Sequence, residues 1–331
     1  MLDRAAELGL EGVFFRTVFD LSPTADIGLL REVAAHAEQK GLYLEIGFGR
    51  VNPYNISEDH LPRALGEGDY VLGFRRVVER LAEIGCAEIW GELATWQRDE
   101  WGILAIDRFR TDVSWEDQLD ATAKLLRRLT PILRAHGAHL NIETHEEVSS
   151  FELLRLVEQG GADAIGVTFD TANVAVRGEL PNEAARRLAP HVRQTHLRDI
   201  VVTPSPDGCE RQMRACGDGL IDWSQLLADL GAAPASMRLS IEVAAERDIT
   251  QVYLNDERWR DSLSELDPAE LAGLQRAAAL GAERMAAGIW PDLDAYFPAA
   301  AGSEATAVEF LERSMRALRG GRSERVQPLP G

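Results

Sequence analysis

Long apolar runs are missing from this 331-residue chain. No stretch approaches the roughly 18 apolar residues of a membrane-spanning helix, so a membrane protein is not expected. The opening residues, Met1-Leu2-Asp3-Arg4, are not a basic segment leading into an apolar one, so no signal peptide is expected either. Cysteine is scarce: Cys86, Cys209 and Cys216 are odd in number and widely spaced. That reads as reduced, cytoplasmic usage rather than a disulfide framework, and Cys209 and Cys216 lack the Cys-x-x-Cys spacing of a zinc site. Positive charge is also short. With 35 Lys and Arg against 54 Asp and Glu, the net charge is −19 and the pI is near 4.8. Such a field repels nucleic acid and anionic membrane. It leaves an anionic small substrate open, because local arginines can override a global field.

What is present is an ordinary globular composition, 45% apolar and 27% charged. Short apolar stretches alternate with longer amphipathic ones. Strands are expected at Glu11–Phe15, Leu42–Ile46, Ala87–Trp90, a central one from Leu140, Ala164–Phe169, Val192–Leu197 and Met237–Val243. Helices are expected at 2–9, Ile27–Gln39, Tyr70–Ile84, Ser114–Ala135, 149–159, Pro181–Leu188, Asp222–Leu230, Pro268–Ala287 and Glu304–Leu318. Gly9, Gly41, Gly85 and Gly137 stop four of them, and Ser114 with Asp117 approximates a capping box. Residues 200–221 read as a Gly/Pro-rich loop and 244–266 as a long acidic loop. Strict alternation predicts a parallel sheet, and the length fits an α/β (β/α)8 barrel over residues 1–300, followed at 301–331 by a C-terminal helix and a flexible tail. The seven expected strands leave the first one missing or supplied otherwise, since the chain reads as beginning inside the helix that would follow it.

Four strand ends carry ionisable residues directly after apolar stretches: Glu143, Asp170, His196 and Glu242. In a barrel of parallel strands these ends converge on one mouth. Three carboxylates and an imidazole brought together repel unless protonated or bridged, and a divalent cation resolves the conflict. Three oxygens and one nitrogen suit Mn²⁺ or Mg²⁺, with positions left for substrate oxygens. Taken singly, an acid ending a strand is more often a turn residue and a lone histidine a satisfied core residue. Strand alternation points His145 to the same side as Glu143, which makes it a general-base or substrate-binding candidate, or a residue that orients Glu143. Trp90, Trp96, Trp101 and Trp115 are four of the seven tryptophans, and Trp96 and Trp101, in a loop after a strand, suit an apolar wall for a sugar face or an aromatic aglycone.

The order Ile-Glu, Phe-Asp-x-x-Asn, His-Leu-Arg-Asp, Gly-Asp-Gly-Leu-Ile-Asp-Trp (Gly217 to Trp223) and Ser-Ile-Glu resembles the sugar phosphate isomerase/epimerase superfamily, the xylose isomerase-like TIM barrels, over about residues 1–290. The resemblance implies that Glu143, Asp170, His196 and Glu242 bind a divalent metal, Mn²⁺ first, with Mg²⁺ or Co²⁺ as alternatives. It also implies that Glu143 and Glu242 exchange protons with a sugar from opposite faces. Asn173 matches a position that contacts substrate, and Arg211 or Arg214 could bind a substrate oxygen or simply be solvated. Asp199 stands as a support to the metal site or a salt-bridge partner.

The expected chemistry is abstraction of a proton α to a carbonyl, with the metal stabilising an enediolate. An isomerase or epimerase of a small-molecule sugar is the first reading. A lyase is the alternative, dehydrating an inosose-like polyol or cleaving 3-keto glycosides. The resemblance extends to C-glycoside deglycosidase catalytic subunits, which work with a histidine base and a small second subunit, so a homo-oligomer or such a hetero-oligomer is expected. A DNA-repair endonuclease needs extra histidines on the earlier strands. The strands ending near Phe48 and Glu92 carry none.

Overall fold

The computed structural model describes residues 1–56, 59–94, 99–244, 248–297 and 302–320. Among these, six parallel strands form one sheet in sequential order. They are β1 (Gly12–Phe15), β2 (Tyr43–Arg50), β3 (Glu88–Glu92), β4 (His139–Glu143), β5 (Ile165–Asp170) and β6 (Val192–His196). The chain clusters into two compact units, and β5 runs through both.

The first unit comprises residues 1–97, 110–143 and 153–168. Its helices are α1 (Leu2–Glu7), α2 (Val18–Leu21), α3 (Ile27–Gln39), α4 (His60–Leu65), α5 (Tyr70–Glu83) and α6 (Trp115–His136). The buried face of α5 is Tyr70, Phe74, Val77, Val78 and Leu81, the spacing of one helical stripe. Ser114 Oγ accepts from Asp117 N at 3.1 Å at the start of α6, and Gly137 ends that helix at φ +60°, where a residue without a Cβ is favoured. Ile46, Ile89, Leu140 and Ile142 are fully buried on the strands. The register runs Gly12↔Tyr43, Ile46↔Ile89, Glu88↔His139 and Leu140↔Ile165, ending at Glu143↔Thr168.

The second unit comprises residues 98–109, 144–152 and 169–331. After α7 (Ser150–Gly160), which straddles the boundary, come α8 (Pro181–Leu188), α9 (Trp223–Asp229), α10 (Glu257–Asp261), α11 (Pro268–Ala286) and α12 (Glu304–Gly320). Two expectations are corrected here. Residues 200–221 hold strands, not only loop: β7 (Asp199–Ser205) and β8 (Gly208–Arg214) form an antiparallel hairpin, and β9 (Ile249–Val252), inside the expected acidic loop, pairs with β8. Met237–Val243 is not a full strand. It makes one parallel bridge, Leu197↔Ile241, with Leu197 N donating to Ser240 O at 2.8 Å. A strand needs a continuous ladder on at least one side, and among the described residues this segment has a single bridge, with Leu239 and Val243 exposed. No helix among the described residues is long and apolar enough to cross a membrane.

Candidate active site

Glu143, Asp170 and His196 are the last residues of β4, β5 and β6, and Glu242 follows the bridge residue Ile241. Asp170 is fully buried. Its Oδ1 accepts from Ala172 N at 2.7 Å and Asn173 N at 3.1 Å, an Asx turn that swings the chain off the strand. Its backbone is clamped by Thr144, whose Oγ1 accepts from Asp170 N at 2.8 Å and donates to Asp170 O at 3.0 Å. His196 Nδ1 lies 3.3 Å from Glu242 Oε2. One ligand atom from each of Asp170, His196 and Glu242 lies within 4.8 Å of the other two.

Arg198, which sequence reasoning had left inside a motif without a role, completes this group. Its Nη2 donates to Asp170 Oδ2, and stands 3.1 Å from Glu242 Oε2 and 3.5 Å from Asn173 Oδ1. A signal was there: two residues after His196, across a paired Leu197, an extended chain turns Arg198 to the same side as His196. Burial works to raise the Glu242 carboxyl, but Arg198 and His196 outweigh it and hold the group well below the usual carboxylate range. Glu242 Oε2 is a buried atom within ion-pair distance of both Arg198 and His196 that makes no well-aligned hydrogen bond to either. Two carboxylates and an imidazole fit a hard or borderline divalent cation.

Glu143 is buried and accepts from Trp90 Nε1 at 2.9 Å, so the first of the four tryptophans supports a strand-end acid. Its register partner is Thr168, two residues before Asp170. β4 ends at Glu143, so the alternation expected to carry His145 to the same side stops short of it. His145 lies on the following turn, where its Nδ1 is 2.6 Å from Glu147 Oε2 and 3.1 Å from Glu146 Oε2. Fully buried Arg211, from β8, donates through Nη2 to Glu146 Oε1 at 3.0 Å. Burial works against the Glu146 carboxylate, yet His145, Arg211 and Arg198 draw its pKa down.

The other expected residues are dispersed. Arg214 stacks over Tyr296, 4.4 Å from the ring centroid, and donates to Pro291 O at 2.8 Å. Asp199 is fully buried and accepts from Ile200 N, Gly217 N, Ile221 N and Trp223 Nε1, all between 2.8 and 3.1 Å. It pins the Gly217–Trp223 loop, and burial pushes its carboxyl up to about 6. Trp101 is half exposed, and Trp96 lies outside the described residues.

Parallel strands alternating with helices, with a carboxylate or an imidazole as the last residue of β4, β5 and β6, define a protein of the α/β barrel class. The chain belongs to the xylose isomerase-like TIM barrel family, whose model matches residues 2–269. Among curated relatives it is 28% identical over 121 residues to the uncharacterized protein YihM of Escherichia coli K12, covering 37% of each chain. It is 27% identical over 109 residues to the 3-oxo-isoapionate decarboxylase of Pectobacterium atrosepticum, covering 32% of this chain and 40% of the relative. The matched segments thus span about two fifths of the length of these relatives. In structure it is similar to the D-psicose 3-epimerase of Clostridium cellulolyticum H10 solved with D-tagatose, at TM-score 0.56 and 18% identity, over 87% of this chain and 92% of that one.

Proposed function

We propose that this protein is a divalent-metal-dependent enzyme that moves a proton α to the carbonyl of a sugar or keto-sugar, as an isomerase or epimerase. The observation that carries the reading is the convergence of Asp170, His196 and Glu242 within 4.8 Å, with Oε2 of Glu242 making no well-aligned hydrogen bond. Glu143, the last residue of β4, is the fourth ligand in this reading. Family membership and the likeness to a D-psicose 3-epimerase support a sugar substrate. Mn²⁺ is the first choice of metal, and three buried, unpaired cysteines favour a reducing compartment such as the cytoplasm.

When bound, the metal supplies Lewis-acid polarisation of the carbonyl and charge stabilisation. The protein's part is proton transfer and positioning. Glu143 and Glu242 exchange the proton in the epimerase reading, while Asn173 and Arg211 bind substrate oxygens and Trp101 offers an apolar surface. A second reading, elimination from a 3-keto glycoside or an inosose-like polyol with His145 as base, is favoured by one contact. A carboxylate 2.6 Å from His145 Nδ1 fixes the ring as general-base histidines are fixed. A partner subunit belongs to that reading, and a decarboxylase among the relatives is compatible with it.

Incubation with Mn²⁺ and a panel of ketoses in D₂O decides between them. The isomerase reading expects loss of the α-proton NMR signal from the right sugar. No exchange with any free sugar, together with aglycone release from a 3-keto glycoside, replaces it with the lyase.

A further inference from the structure

Arg198 is not a surface arginine that happens to reach inward. Its side chain is 8% exposed. Its backbone is fixed at both faces by Thr171, whose Oγ1 accepts from Arg198 N at 2.9 Å and donates to Arg198 O at 2.6 Å. Thr171 directly follows Asp170, so the same short turn presents the carboxylate and anchors the arginine that binds it. The guanidinium contacts Asp170 Oδ2 and stands 3.1 Å from Glu242 Oε2. Those are carboxylates of two residues in the ligand set, and His196 between them adds no fixed charge when neutral.

We propose that Arg198 is an internal counter-cation that competes with the metal for Asp170 and Glu242 and thereby sets the metal's affinity. This rests on the metal-dependent reading above. A fully buried carboxylate close to a second, half-buried one needs positive charge nearby, and the arginine supplies part of it. A divalent cation drawn to the same oxygens shares them with a group of like charge and must overcome that repulsion. Asp170 Oδ1 offers no escape, since two backbone N–H groups already hold it. Arg198 therefore stabilises the metal-free protein and weakens metal binding. The consequence is a site that loads and unloads its metal rather than trapping it.

The test uses the full chain, stripped with EDTA and titrated with Mn²⁺ by calorimetry, alongside Glu242→Gln, Arg198→Gln and Arg198→Lys. The expected result is at least tenfold tighter Mn²⁺ binding by Arg198→Gln, near wild-type binding by Arg198→Lys, and at least a hundredfold loss in Glu242→Gln. Metal-free Arg198→Gln should also melt below the metal-free wild type while gaining more from Mn²⁺. If Arg198→Gln is unfolded without metal, recovery of its circular dichroism on adding Mn²⁺ supports the proposal, and failure to recover overturns it. Unchanged or weaker binding by a folded Arg198→Gln, with the Glu242→Gln loss intact, overturns the competition and leaves the metal reading standing. A wild type that binds no Mn²⁺ removes both.

Discussion

Glu179 shows how one buried acid couples the fold to pH. Its carboxylate accepts from Ser150 N at 2.9 Å, from Ser150 Oγ and from Arg187 Nη1 at 2.8 Å, while Arg187 Nη2 reaches Glu270 at 2.8 Å. Burial outweighs these partners and pushes Glu179 up to about 7, against 4.5 for a free glutamate. Between those values the folded chain holds a proton that the unfolded chain has released, so stability from this group is fully present below about 4.5 and declines as pH rises through about 7. The shift corresponds to a change on the order of 3 kcal/mol. Thermal melts between pH 5.5 and 8 should show a falling midpoint. Glu179→Gln should flatten that slope, and an unchanged slope in the variant would assign the dependence elsewhere. Asp199, raised to about 6, acts with the same sign over a lower window, so the residual slope in the variant should lie at the acid end.

At the scale of elements, the pairing of α11 with β7 depends on Gly281. A Cβ there would sit 2.1 Å from the carbonyl oxygen of Val202, a backbone atom that cannot rotate away. Gly281→Ala should therefore cost about 2 kcal/mol or more in urea unfolding. Gly231→Ala, where nothing lies within 4 Å, should stay within about 0.5 kcal/mol. Equal effects at the two positions would refute the close packing. The helices were legible in the sequence because their caps and apolar stripes are local: Ile27–Gln39 and Pro181–Leu188 form as expected. The β7–β8 hairpin was not. Pro204, Pro206 and Gly208 crowd its turn, and the buried positions of β8 include Arg211, Gln212 and Arg214 in place of apolar residues. An inward face built from long polar side chains erases the hydrophobic alternation that marks a strand. The segment Met237–Val243 failed in the opposite way. It has the alternation, but pairing is a property of neighbours, and only Ile241 finds one.

For the whole molecule, a net charge of −19 bears directly on how a metal is recognised. The strand-end residues could be read from sequence because parallel strands send their C-terminal ends to one edge, whatever the details of packing. The side on which Arg198 lies follows from its spacing to His196, but its partners Asp170 and Glu242, like the Trp90 contact to Glu143, could not be read, because they are set by side-chain reach between elements. The same distinction separates specific from diffuse cation binding. A strongly acidic surface gathers divalent ions without a site, and that attraction is screened at about 0.15 M salt, where the Debye length is about 8 Å. A ligand that binds only the folded state at about a hundred times its dissociation constant adds about 2.7 kcal/mol. Mn²⁺ in 0.15 M NaCl should therefore raise the melting midpoint by several degrees, and EDTA should reverse the rise. Asp170→Asn removes one charge from a net 19 and leaves the surface field almost intact, but it takes a carboxylate from the strand-end cluster. If the Mn²⁺ stabilisation survives that substitution, the ion is held by the surface and the strand-end cluster is not its site. If it disappears while the metal-free variant still folds, the stabilisation belongs to the carboxylates and imidazole gathered at the ends of β5 and β6.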